Sequence, residues 1–409
     1  MYKELFSQGK STLLPALLIA AGYDKVLVTQ PRRLPCKLIA KRVNETMITD
    51  RNRFGIKLAG WAVSGDGENT NAKLLYLTDG LLKERLLNDR NFITKQTQIR
   101  KGIVLFIDEV HERSTNIDLC LALIARMLTK HKSLISKIKV VISSATLDPS
   151  VPELFSQIPN VKLKKYDMSS KETLFPIRTF KRPNENILNV VKEILAKRER
   201  KDQILCFVSS TGDVYRYRKL LNEISQNTIV AYALTQSQSP REQEEALEKG
   251  SVFFSTNIAE TSLTFSSLKY VVDTGMINVP VFDISSRQIT LREHPAAHSN
   301  IGQRRGRLGR TQPGEYYSLY DDRMKRRDYP VPQICQSDLV SLEFALRKSP
   351  LRIGLDQMKE LLPEKPSHEA IFYTNDSLER MGKSYSRLVL NKTRFISFFD
   401  RYRTQRTIN

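Results

Sequence analysis

The sequence predicts an α/β protein of two tandem, mostly parallel sheets covered by helices, with further helical residues after them. Two observations carry this. Short apolar runs recur along the chain, and each hands over in the same direction to polar or small residues. Helical segments separate most of them, the arrangement of parallel sheets whose carboxyl ends form a working edge.

Val26–Val28 leads through Thr29-Gln30 to Pro31-Arg32-Arg33, and Leu74–Leu77 leads to Thr78-Asp79-Gly80. Ile103–Ile107 has no polar interruption, as expected of a central strand buried on both faces, and runs directly into Asp108-Glu109-Val110-His111. Ile117, Leu121, Ile124 and Leu128 then keep helical spacing on one face. Lys139–Ile142 ends in Ser143-Ser144-Ala145-Thr146. Beyond a basic stretch, Ile204–Val208, Val252–Phe254 and Lys269–Val272 repeat the pattern, ending in Ser209-Ser210, Ser255-Thr256-Asn257 and Asp273-Thr274-Gly275. The break between the two sheets falls near Asp167–Thr173. Val279–Ile284 and Gln288–Leu291 alternate around a polar turn and read as a hairpin, either a plain edge or a functional one.

The 409 residues suffice for two or three domains with real cores. A net charge of +21, from 65 Lys+Arg against 44 Asp+Glu, points to a polyanion partner. Cys36, Cys120, Cys206 and Cys335 lie far apart without zinc spacing, as in reduced core residues of a cytoplasmic or nuclear protein. Leu13–Ala21 could pass for a signal-peptide core, but it follows directly on Gly9-Lys10-Ser11-Thr12, which gives it another use. No segment approaches the ~18 apolar residues that span a bilayer, so no membrane partner is expected.

Three stretches carry chemistry. Asp108 can hold a hard cation, most simply Mg2+ on a nucleotide, while Glu109 can orient a water for attack on phosphorus. Gly9-Lys10-Ser11-Thr12 before an apolar helix is the second half of a phosphate-binding loop. In it Lys10 would reach the β/γ-phosphates and Ser11 would ligate Mg2+. The first half departs from GxxxxGK[ST]: Glu4 replaces glycine, and Phe6, Ser7 and Gln8 fill the small-residue turn. Either the chain begins inside the domain or the loop is defective. The third stretch is Gln303-Arg-Arg-Gly-Arg307-Leu-Gly-Arg310. On a helix, positions 303, 307 and 310 share one face, suiting either a γ-phosphate with its attacking water or RNA phosphates.

Taken in order, GKST, TQPRR, TDG, DEVH, SAT, STNIAETSLTF and QRRGRLGR resemble the motifs of the DEAH-box ATP-dependent RNA helicases of superfamily 2, from about Gly9 to Asp321. The last two together are highly specific. The resemblance implies two RecA-like domains that sandwich ATP with Mg2+ and grip single-stranded RNA. It assigns Gly9, Lys10, Ser11, Thr12, Asp108 and His111 to nucleotide, with Ser11 and Asp108 on the metal. Glu109 would be the catalytic base, Gln303 would position water, and Arg307 and Arg310 would act as fingers. Ser144 and Thr146 would couple hydrolysis to domain movement through His111, and Arg32, Arg33, Thr78, Asp79 and Thr256 fall where the family meets nucleic acid. A protein activator is a further partner compatible with the family.

The expected organisation is residues 1–168 and 169–330 as the RecA-like domains, the second with a hairpin at about 279–291. A partial winged-helix region at 331–382 and a basic tail at 383–409 follow. DEVH replaces DEAH, Leu247 stands where many relatives stack a phenylalanine on adenine, and the family's ratchet and OB domains have no room here. The tail's Arg401, Arg403 and Arg406 suit RNA or a disordered end. The resemblance therefore leaves two readings: an ATP-driven RNA translocase, or an RNA-binding scaffold or gene fragment with impaired turnover.

Overall fold

A computed structural model describes residues 9–46, 57–89, 92–93, 101–167, 173–226, 228–260 and 263–388. The first sheet consists of β1 (Lys25–Gln30), β2 (Ala59–Val63), β3 (Asp66–Glu68), β4 (Leu74–Thr78), β5 (Ile103–Ile107) and β6 (Ile138–Ile142), in the order β3-β2-β4-β1-β5-β6. All neighbours pair parallel except β2 with β3. β1 lies between β4 and β5, and the connections reverse there: the chain goes from β1 to β2 on one side and from β4 to β5 on the other, the arrangement that places ligands at strand carboxyl ends. Around this sheet pack α1 (Leu13–Ala20), α2 (Arg33–Thr46), α3 (Asp79–Asn88), α4 (Thr115–Lys130) and α5 (Ser150–Ser156). The predicted face of α4 is buried throughout, with Ile117, Leu121 and Ile124 at 0% exposure.

The second sheet has β7 (Ile177–Lys181), β8 (Gln203–Phe207), β9 (Ala231–Leu234), β10 (Val252–Ser255) and β11 (Leu268–Asp273). β12 (Met276–Asp283) and β13 (Gln288–Pro295) form the separate antiparallel hairpin, and β14 (Gly314–Ser318) completes the order β7-β14-β11-β8-β10-β9, parallel throughout. Its helices are α6 (Ile187–Lys197), α7 (Thr211–Ile224), α8 (Pro240–Lys249) and α9 (His298–Arg305). The seven apolar runs from Val26–Val28 to Lys269–Val272 are all parallel strands of these sheets, which carry apolar clusters on both faces. The predicted break between them lies mostly on residues 168–172, outside the described residues.

After β14 come α10 (Val340–Lys348), α11 (Leu355–Met358) and α12 (His368–Leu388), with no strand among the described residues there. A wing is therefore not seen, and α12 runs through the expected boundary at 382. Ile334, Leu346, Leu355 and Met358, all fully buried, pack against Leu119, Ala122 and Leu123 of α4. The C-terminal helices thus share a core with the first sheet, although their sequence follows the second.

Candidate nucleotide and nucleic-acid site

The residues of β5 are completely buried, so its first carboxylates appear where the strand leaves the core. Asp108 is itself 2% exposed. Its Oδ2 accepts from Ser11 Oγ at 2.5 Å and from Gln30 Nε2 at 2.7 Å, and its Oδ1 accepts from the Glu109 amide at 3.0 Å. Tyr76 fixes the loop that carries Ser11 by donating to its carbonyl at 2.7 Å. The Ser11 hydroxyl and Asp108 carboxylate fit a hard divalent cation such as Mg2+. No group of three or more His, Cys, Asp or Glu side chains able to hold a metal exists among the described residues. Phosphate and water oxygens would supply the remaining ligands.

Glu109 and Arg113 both have left-handed backbones, with φ of 52° and 45°, flanking the tight turn Val110–Glu112. For residues other than glycine this conformation costs roughly 1–3 kcal/mol each and needs surrounding support. Support comes from Val110 N–H donating to Ser143 O at 3.1 Å and from Arg113, whose Nε and Nη1 reach Asp118 at 2.9 Å and Asp148 at 2.5 Å. Asp148 lies just past Thr146, so Arg113 ties the DEVH turn to the loop after β6. Sequence reading missed it; its only signal was a charged residue two positions after the motif.

Burial, reinforced by Asp108 and Glu112, raises Glu109 to about 7, while Lys10 and Arg307 oppose the rise. Burial and the same two cations lower His111 to about 4, so its ring is neutral. His111 Nδ1 lies 3.4 Å from the Glu109 carboxylate, yet neither ring nitrogen makes a hydrogen bond. His111 and Thr146 line one small enclosed cavity, so the expected pairing of DEVH with SAT is present as proximity.

The second lobe reaches this turn through Gln303, whose Nε2 stands 3.5 Å from Thr146 Oγ1. Here the helical expectation needs correction. α9 ends at Arg305, Gly306 follows it, and Gly309 has φ +67°, so Arg307 and Arg310 lie beyond the helix. A Cβ on Gly309 would sit 2.6 Å from Phe175 O, a contact that excludes larger residues. Arg307 is 5% exposed and anchored to the carbonyls of Glu260 and Leu263, whereas Arg310 is exposed and donates to Gly306 O at 3.0 Å. From that anchor Arg307 acts electrostatically on both Glu109 and His111 of the first lobe.

Residues 185–312 match the family described as "Helicase conserved C-terminal domain". The chain is 30% identical to ATP-dependent RNA helicase HrpA of Borreliella burgdorferi over 78% of its own length and 38% of that protein. It is 30% identical to the human protein named probable ATP-dependent RNA helicase DHX34, over 83% of this chain and 30% of that one. The Escherichia coli DExH-box NTPase HrpB superposes with a TM-score of 0.71 at 25% identity, covering 91% of this chain and 45% of HrpB. The chain belongs to the DEAH-box helicases. It spans less than two thirds of the length of these relatives.

The remaining DEAH-box positions lie along the carboxyl edges of the sheets. Gly9 is buried at the start of the loop, its carbonyl accepting from Leu13 N–H at 2.8 Å, and Thr12 precedes α1. Arg32 Nη2 lies 3.8 Å from Glu112, and Arg33 donates to Ser64 O at 2.9 Å. Thr78 caps α3, and Thr256 follows β10 at the corresponding edge of the second sheet. Asp79 is 5% exposed and accepts from Ser114 Oγ at 2.9 Å, so it shapes the edge from within. Ser144 Oγ donates to Thr146 O at 2.5 Å, which folds the SAT turn on itself. Leu247 is half-buried against the second-lobe core. Glu4 and Phe6–Gln8, and the tail arginines, lie outside the described residues.

Proposed function

We propose that this chain is the motor core of an ATP-dependent RNA helicase, coupling hydrolysis to movement on single-stranded RNA and to duplex opening or RNA–protein remodelling. The observation that carries the reading is the approach of the two lobes beside the DEVH turn, where Gln303 Nε2 of the second stands 3.5 Å from Thr146 Oγ1 of the first and Arg307, four residues further on, acts electrostatically on Glu109. Lys10, Ser11 and Asp108 hold the β/γ-phosphates and Mg2+, and the cation supplies charge neutralisation on the phosphates. Ionised Glu109 takes the proton of the attacking water, which Gln303 orients. Arg307 has five N–H donors and spends three on Glu260 and Leu263. It therefore keeps its anchor while offering the rest to a phosphoryl group, and Arg310 adds a second guanidinium.

Arg32, Arg33, Thr78 and Thr256 line edges where a single strand would be gripped through its phosphates, in keeping with the net charge of +21. Closure of the lobes on ATP and reopening after hydrolysis would shift that grip. One stacked pair costs about 1.4 kcal/mol to open on the DNA scale, well within one ATP. The setting is the cytoplasm or nucleus; no described helix is long and apolar enough to cross a membrane. A protein activator would act on this same cycle.

The second reading, an RNA-binding scaffold with impaired turnover, draws on Glu4 and Phe6–Gln8, which burden the phosphate loop with a carboxylate and bulk. Phosphate release with and without single-stranded RNA separates the two. The motor reading expects weak RNA-stimulated turnover that rises in Glu4→Gly. Negligible turnover in both proteins, alongside salt-sensitive RNA binding, would establish the scaffold instead.

A further inference from the structure

We infer that residues 326–336 form a strap that couples the β12–β13 hairpin to the catalytic turn, with Gln333 as its positioning residue. The strap starts at the foot of the hairpin, where Arg326 Nη1 donates to Gly275 O at 2.6 Å and to Ala296 O at 2.9 Å. The next carbonyls, of Arg327 and Asp328, accept from His298 N–H at 2.9 Å and Ser299 N–H at 3.0 Å, the first turn of the helix that carries Gln303. Tyr329 and Pro330 then close the small cavity that His111 and Thr146 line from the first lobe. Its volume of about 10 Å³ is on the scale of a single water.

Gln333 makes the joint. Its amide donates to Arg113 O at 3.0 Å, and its side-chain Oε1 accepts from Thr115 N–H at 3.1 Å. Both ends of this clasp fall on the segment whose left-handed backbone at Arg113 needs support. Ile334, next in sequence, is fully buried against α4, so the clasp cannot slide without opening the core. Gln336 O then accepts from Phe282 N–H at 2.7 Å, returning the strap to the hairpin near its tip. One short segment therefore touches the hairpin at both ends, the Gln303 helix at its start and the catalytic turn at Gln333. A hairpin displaced by a bound strand would pull on the segment that supports Glu109.

The inference rests on the proposed function for its RNA dependence, while its mechanical content is readable without ligand. Amide hydrogen exchange of the free protein is compared for the parent, Gln333→Ala and Gln333→Glu. The glutamate keeps an acceptor oxygen, and because the side chain is exposed neither variant opens the core. Gln333→Ala is expected to lose protection at Thr115 and also at Phe282, with β8 unchanged, and Gln333→Glu to retain both. Loss at Thr115 alone would reduce Gln333 to a local cap and overturn the coupling. In a second arm, the ratio of RNA-stimulated to basal phosphate release is expected to fall toward one in Gln333→Ala and to recover in Gln333→Glu. An equal fall of both rates would overturn the coupling as well. A parent that RNA does not stimulate would reject the proposed function, and the exchange arm would still decide the strap.

Discussion

Gln303 Nε2, from the second lobe, and Thr146 Oγ1, from the first, stand 3.5 Å apart across the seam. That is the long limit of a hydrogen bond, so the contact contributes little to holding the lobes together. A weak bond beside the DEVH turn suits the opening and closing that the proposed function requires. Thr146→Val keeps the shape and removes the hydroxyl. Phosphate release should persist while fewer base pairs open per phosphate, as a coupled unwinding and hydrolysis assay would read.

With Glu109 as the proposed base, its carboxyl sets the pH dependence. Its carboxyl is raised from 4.5 to about 7 and must be ionised to act as a base, so kcat/KM for ATP should rise with pH through about 7 and then level. His111, lowered to about 4, stays neutral across that window and adds no second limb. Folding stability has the opposite sign. The folded chain binds the extra proton between 4.5 and about 7, so Glu109 stabilises less as pH rises through this range. Glu109→Gln should flatten that slope in denaturation midpoints measured across the same pH range.

On the proposed function Arg307 serves two ends at once. Arg307→Ala should lower turnover by on the order of 10³-fold or more, the usual effect of losing a finger arginine. It should also cost roughly 1–3 kcal/mol of stability, because the carbonyls of Glu260 and Leu263 lose a buried partner. Single-turnover hydrolysis together with urea denaturation separates the two effects.

Arg113, 2% exposed, pairs with the fully buried Asp118 and with Asp148. Removing one partner of such a pair strands a charge, so Arg113→Met should destabilise by about 3–5 kcal/mol. Equilibrium urea unfolding checks the loss. Asp118→Asn should recover part of it in the double variant.

What could be read in advance was what is local in the chain. β5 announced itself by five apolar residues without a break, and α4 by its spacing. β2 carries a glycine, and β7 alternates with basic residues at the sheet edge, so neither stood out. The reading of one helical face through 303–310 failed because Gly306 and Gly309 end the helix; two glycines so close were the available signal. Gln30 on Asp108 joins residues 78 positions apart, and the clasp of Gln333 on Thr115 joins residues 218 apart. Such contacts leave no periodicity or spacing to detect, and they exist only once the chain has folded.

The claim on which the rest depends is that the 108–109 acids and the 307/310 guanidiniums act on one triphosphate. The most direct measurement is phosphate release at saturating single-stranded RNA by the parent and by Glu109→Gln, with nucleotide binding followed in parallel. Retained binding with turnover reduced by roughly 10²–10⁴-fold is the expected result for loss of the general base. Turnover in Glu109→Gln equal to the parent's would contradict it.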